Sequence, residues 1–228
     1  MAARHLGAMK NAIRSLQEYY EREVPVHETL TTAARLDPRF PHQSQYTSVL
    51  DSNIHHFKYV SQVPNKLVFF GKTNDNKDIC IKFARSYSKE AHIKCAAMGI
   101  APVLRGFDLV PGGWYMVTMD VVGEGYRCFD TASCGATLYE EMREKLAAFH
   151  QAGFVHGDVR DTNVMVRRDG KPEFMLVDFD WAGKIGEVRY PMNVNRGPDL
   201  MRPDGAYDGE LILADHDMEM LAIMFERQ

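Results

Sequence analysis

One stretch constrains this chain more than any other: residues 154–166, FVHGDVRDTNVMV. Its entry is apolar, with Phe154 and Val155. Its centre is polar and holds His156, Gly157, Asp158, Arg160, Asp161 and Asn163. Its exit, Val164, Met165 and Val166, is apolar with two β-branched valines, and reads as a short buried strand. Burying charge is costly unless the charge is paired or meets a ligand. So many ionisable groups between two apolar runs therefore point to a loop that binds or reacts.

A second run follows, Met175, Leu176 and Val177, and it stops abruptly at Asp178, Phe179 and Asp180. The ordered pair resembles the catalytic core of the protein-kinase superfamily. There a loop of the form H-R-D-x-x-x-x-N precedes a D-F-G triplet on the next hairpin. Here His156, Gly157 and Asp158 are followed by four residues and then Asn163, and the triplet is Asp178, Phe179 and Asp180. Phosphoryl transfer needs a carboxylate facing the acceptor hydroxyl, an amide reaching Mg²⁺, and a second carboxylate holding the metal on the phosphates. With Trp181, Ala182 and Gly183 following, the pattern is similar to the kinase-like proteins of large fungal families. Atypical and small-molecule kinases also carry His-Gly-Asp.

The resemblance covers about residues 54–228 and implies an α+β, two-lobed fold. A small antiparallel-sheet lobe (46–122) would precede a mainly helical lobe (123–228) that stops at the central helix, with a helical extension and linker over 1–45. It assigns roles residue by residue. Asp158 would orient or deprotonate the acceptor, and Arg160 would neutralise γ-phosphate charge. Asn163 and Asp178 would hold Mg²⁺. Lys82, in a strand ending Cys80, Ile81 and Lys82, would hold the α and β phosphates of ATP. Glu90, the only acid in the following helix pattern, would pair with Lys82. Met119 would be the gatekeeper, with Asp120 to Val122 as the hinge binding adenine. Asp217, or alternatively Asp215, would tie down the catalytic loop.

Composition removes other classes. A formal charge of −4, with no polybasic run, gives nothing to track nucleic-acid phosphates. No apolar stretch approaches the roughly 20 residues that cross a bilayer. Cys80, Cys95, Cys128 and Cys134 form no C-x-x-C pair, so free thiols in a reducing, intracellular setting (cytoplasm or nucleus) are expected.

Along the chain, residues 3–24 carry Leu6, Met9, Ile13, Leu16 and Tyr20 at helical spacing. A membrane-surface or import helix is disfavoured by Glu18, Glu21 and Glu23, which leaves a helix that packs on the domain. A short helix over 26–36 and a linker over 37–44 should follow. Strands are expected at 57–60, 67–70, 78–83, 101–104, 106–109 and 114–119, with turns at 73–76 and 111–113. Residues 89–98 read as a helix stopped by Gly99. Residues 137–151 read as another, with Thr137 and Glu140 as a capping box and Leu138, Met142, Leu146 and Phe149 as its stripe. The interval 181–213 is poorly periodic and matches the activation segment, and 214–225 is helical.

Four departures from the kinase pattern carry consequences. Residues 61–66 replace the glycine-rich loop, so fewer backbone N–H groups can approach phosphates. Gly157 replaces the arginine that reads a phosphorylated activation loop. Asp180 replaces the glycine of the triplet, and strand alternation past Phe179 would aim it away from Asp178. With the chain stopping in the central helix, Ile212, Leu213, Met220, Leu221, Ile223, Met224 and Phe225 would need cover, which implies a dimer or a partner over 211–225. The expected function is ATP- and Mg²⁺-dependent phosphoryl transfer to a protein serine or threonine or to a small-molecule alcohol. The rival is a pseudokinase or effector-type binding module that keeps the fold without turnover.

Overall fold

Period-two alternation in a run of short strands builds the first half of the fold. The computed structural model describes residues 2–23, 40–197 and 200–226. The chain divides into two compact units, Met1–His42 and Gln43–Gln228. In the first, α1 (Ala2–Glu23) forms over the residues with helical spacing. The helix expected over 26–36 lies outside the described residues, as do the first residues of the expected linker.

The second unit opens with β1 (Gln45–Thr47), β2 (Ile54–Gln62), β3 (Val68–Thr73) and β4 (Asp78–Ala84). After α2 (Lys89–Ala97) come β5 (Leu104–Val110) and β6 (Trp114–Asp120). They form one antiparallel sheet in the order β1-β2-β3-β4-β6-β5. The edge strand β1 carries no strong sequence signal; it is too short for a period to show. Residues 101–103 are not strand, and a single bulged strand replaces the two expected on either side of Arg105. In β4, Ile79 and Ile81 are buried on one face, while Cys80 and Lys82 take the other. The first face is filled by an aromatic row running from Tyr46 through Phe57, Tyr59 and Phe69 to Phe83. Ser88 caps α2 by accepting from the Ala91 amide, and Gly99 ends it at φ +74°.

The second half is mixed. β7 (Tyr126–Cys128) precedes α3 (Ala136–Gln151), then β8 (Phe154–Val155), β9 (Val164–Arg167), β10 (Phe174–Leu176), β11 (Gly183–Lys184) and α4 (Ala214–Glu226). Two small antiparallel sheets, β10-β9-β7 and β11-β8, frame the polar loop between β8 and β9. The α3 stripe is buried as its spacing requires: Leu138, Met142, Leu146 and Phe149. Its cap differs from expectation. The helix starts earlier, after a 3-10 turn at Thr131–Ser133, so Gly135 is the cap and Thr137 lies inside the helix.

The expected apolar patch on α4 is also corrected. Ile212, Met220, Leu221 and Met224 are buried within the chain, and the Phe225 ring packs on Phe129 and Tyr139. α3 and the 3-10 turn supply this cover, while Leu213 stays exposed. The four cysteines are free thiols, with Cys95 buried.

The core makes a clear prediction. Leu146 is fully buried against Phe149 and Leu221 in one cluster, so Leu146→Ala should destabilise by about 2–5 kcal/mol in denaturant titration. Met192→Ala, at an exposed site, should change stability by less than about 0.5 kcal/mol. Equal effects would contradict this core.

Candidate functional site

The loop after β8 is held from behind by a single carboxylate. Asp217, in the first turn of α4, is 1 % exposed. Its Oδ2 accepts from the His156 amide at 2.7 Å, and its Oδ1 accepts from the Gly157 amide at 2.8 Å. His150 Nε2 lies 3.1 Å from Oδ2. Of the two aspartates considered from sequence, Asp217 takes this role, and Asp215 is exposed. The loop backbone also needs glycine. Gly157 sits at φ +80°, and a Cβ there would lie 2.8 Å from Ile212 Cδ1 and 3.0 Å from the Trp181 carbonyl oxygen. An arginine is therefore excluded from this position by backbone and packing together.

The next residue, Asp158, is 7 % exposed and crowded by donors. Asn163 Nδ2 donates to its carbonyl oxygen at 3.0 Å and to Oδ2 at 2.8 Å. Arg160 Nε lies 3.1 Å from Oδ2, close enough for an ion pair but without hydrogen-bond alignment. Arg202 Nη2 donates to Oδ1 at 2.7 Å. Sequence reasoning missed Arg202. It lies in the aperiodic interval before α4, where spacing carries no information about which side chain turns inward.

Lys82 reaches the triplet from β4. Its Nζ lies 2.6 Å from Asp178 Oδ1 and 2.6 Å from Asp180 Oδ1. The expectation that alternation would send Asp180 elsewhere fails, because Asp178 adopts φ +72° and breaks the extended backbone just there. Burial disfavours ionisation of both acids. At Asp178 the lysine's charge and hydrogen bond outweigh burial and hold the carboxyl below its usual range. At Asp180, burial together with the Asp178 charge outweighs the lysine and pushes the carboxyl up to about 6.

Glu90 is not a partner of Lys82. It is exposed, since the α2 face turned inward is Ala91, His92 and Cys95. His92 stacks on Phe179 with ring centroids 4.6 Å apart. Burial lowers its pKa to about 4, so the ring is neutral at pH 7. A carbonyl can only accept, so Nε2 donates to Pro102 at 2.8 Å, and Nδ1 accepts from the Tyr87 hydroxyl at 2.8 Å. The α2 helix thus braces the triplet through Phe179 rather than through an acid on Lys82.

At the end of β6, Met119 is buried and pairs with Cys80 and Leu104. The Asp120 side chain is occupied by Arg105 in a bidentate pair of 2.6 and 2.7 Å. Val122 is half-buried in the irregular segment that follows. The loop and triplet are themselves tied together. The Val177 amide donates to the Asn163 carbonyl at 2.9 Å, and His156 Nε2 lies 3.3 Å from the Val177 carbonyl oxygen.

The donor set suits Mg²⁺. Among the described residues no three His, Cys, Asp or Glu side chains converge on one point. Mg²⁺ commonly takes one or two carboxylates, with phosphate oxygens and waters completing its shell. Asp178 and Asp180 are hard oxygen donors that meet at Lys82 Nζ, and the Asn163 backbone is bonded to Val177, the residue before Asp178. Asn163 uses its Nδ2 on Asp158, and among the described residues its Oδ1 meets a long 3.4 Å contact from Thr162.

No family model matches the chain, and no curated protein matches it. Solved structures do. The kinase PK-1 of Cydia pomonella granulovirus superposes with a TM-score of 0.57 at 15% identity, covering 75% of this chain and 69% of that one. Vaccinia related kinase 3 superposes with a TM-score of 0.55 at 14% identity, covering 84% of this chain and 68% of that one. At such identities the likeness establishes a kinase-like fold.

Two predictions follow from the geometry. Asp217→Ala would strand two buried amides, so it should cost about 2–4 kcal/mol in chemical denaturation; a loss below about 0.5 kcal/mol would contradict the strap. Asp180 makes the second. An acid whose folded pKa is raised stabilises the fold when protonated, below its unfolded value, and loses that contribution as pH rises through about 6. The melting temperature of Asp180→Asn relative to the parent should therefore be higher at pH 8 than at pH 4. A pH-independent difference would show that Asp180 is not buried against Asp178.

Proposed function

We propose that this chain is a kinase-like phosphotransferase that uses ATP and Mg²⁺ to phosphorylate a hydroxyl acceptor. The observation that carries the reading is the meeting of Lys82 from the sheet with Asp178 and Asp180 from the triplet, beside an Asp158–Asn163 pair. In this reading residues 46–122 and 123–228 act as two lobes about the segment after β6, and 1–45 is an extension. The backbone of Asp120 to Val122 would receive adenine beside Met119. Free cysteines fit a reducing, intracellular compartment.

The residues divide the work. Lys82 would exchange its carboxylate partners for α and β phosphate oxygens. Asp178 would hold Mg²⁺ with Asn163, and Asp180 is placed to join them. When bound, Mg²⁺ supplies charge neutralisation at the phosphates. Asp158 would orient the acceptor hydroxyl and take its proton, with Asn163 fixing the carboxylate. Arg160, whose Nε lacks an aligned partner, would face the transferred group. The acceptor is a protein serine or threonine or a small-molecule alcohol. Glu90 has no part in this arrangement.

A second reading, a binding module without turnover, is favoured by one observation. Both oxygens of Asp158 are already occupied, by Arg202 on one side and by Asn163 and Arg160 on the other. The two readings divide on a variant. Asp158→Ala should leave ATP binding intact and slow phosphate transfer by about 10²–10⁴-fold, the usual worth of acid–base assistance. The readout is transfer of labelled γ-phosphate. An unmutated chain that transfers none to proteins, sugars or amino alcohols would favour the binding module. Full activity in Asp158→Ala would remove Asp158 from the chemistry.

A further inference from the structure

Arg202 is buried beside Asp158. Its side chain is 2 % exposed. Nη2 donates to Asp158 Oδ1, Nε donates to the Asn195 carbonyl at 3.1 Å, and the guanidinium lies over Trp181 at 4.6 Å. Nη1 is buried with no hydrogen-bond partner among the described residues. Arg160 Nε, on the other side of the same carboxylate, is also buried without one. Two guanidinium cations thus converge on a single carboxylate, and among the described residues neither Arg202 Nη1 nor Arg160 Nε has an aligned hydrogen-bond partner. An unpaired buried donor costs about 1–3 kcal/mol, and more when it is charged. Such a cost persists where a ligand removes it.

The contact also bears on the proposed chemistry. An acceptor hydroxyl must approach one oxygen of Asp158, and among the described residues Oδ1 accepts from Arg202 alone. Oδ1 keeps a second lone pair, so a hydroxyl that engages it arrives beside the Arg202 guanidinium. Where the acceptor displaces Arg202 from Oδ1, the guanidinium loses the carboxylate that pairs with it among the described residues, which is costly unless another anion takes that place. A neutral alcohol cannot do this. An alcohol carrying its own phosphate or carboxylate can, and the planar guanidinium fork suits either group.

We propose that Arg202 is an anion-recognition site beside Asp158, selecting as acceptor a small alcohol that bears a phosphate or carboxylate next to its hydroxyl. This rests on the phosphotransferase reading for the word acceptor, but the anion site can be tested by binding alone. The buried position favours a compact group on a small molecule over a chain segment. Arg202 would then pair with Asp158 in the free chain and with the substrate's anion in the complex.

The test compares three matched probes, glycerol, glycerate and glycerol 3-phosphate, by calorimetric titration into the full chain. Glycerate and glycerol 3-phosphate should bind and glycerol should not; the stronger of the two anions identifies the preferred group. Arg202→Gln should weaken anion binding by about 10–100-fold, the worth of one charge-assisted hydrogen bond, and Arg202→Lys should restore part of it. Asp158→Asn provides a check that does not remove Arg202. It takes away the competing internal carboxylate, so it should tighten binding of the same anions. The proposal is overturned if none of the probes binds, if glycerol binds as well as the anions, or if Asp158→Asn weakens them. Mg²⁺-ATP binding is measured alongside. If the anions behave as stated and ATP does not bind, the phosphotransferase reading fails while the anion site stands. If ATP binds and the anions do not, the reverse holds.

Discussion

The functional loop depends on one buried carboxylate. Asp217 accepts two backbone amides from residues some sixty positions earlier and leaves neither oxygen idle. A loop with glycine at positive φ has little intrinsic preference for one shape. The strap supplies the shape, and the close approach of Ile212 and the Trp181 carbonyl to Gly157 prevents any larger residue from altering it. The positions of Asp158 and Asn163 follow from that anchoring. So does the contact of the loop with the triplet, through the Val177 backbone.

The second constraint is electrostatic. Lys82 is held between two half-buried carboxylates whose negative charges repel each other at close range. One is stabilised in its charged form and the other is pushed towards neutrality. A divalent cation would relieve that conflict, and so would phosphate oxygens for the lysine. The neutral, fully paired His92 shows how the fold braces Phe179 without an acid on α2. This arrangement sets the chain apart from the pattern its motifs suggest, where Glu90 would have met the lysine.

Much of this was legible in the sequence because the relevant elements are periodic. The β4 alternation placed Lys82, the α3 stripe was buried as read, and the strand after Asn163 formed where β-branched residues cluster. Three things were not legible. The positive φ at Asp178 is a backbone choice that brings Asp180 back beside it, and residue alternation cannot foresee it. The exposure of Glu90 depends on the rotation of a nine-residue helix, too short for its inner face to be read from few apolar positions. Arg202 comes from an aperiodic segment, where only the folded path decides which side chain meets Asp158.

The central proposal is that Lys82, Asp178 and Asp180 would receive nucleotide and metal. Calorimetric titration of ATP into the unmutated chain, with and without Mg²⁺, and into Lys82→Ala addresses it directly. The account predicts binding that requires Mg²⁺ and is lost in Lys82→Ala. Binding that is absent, or that is indifferent to both the metal and the lysine, would contradict it.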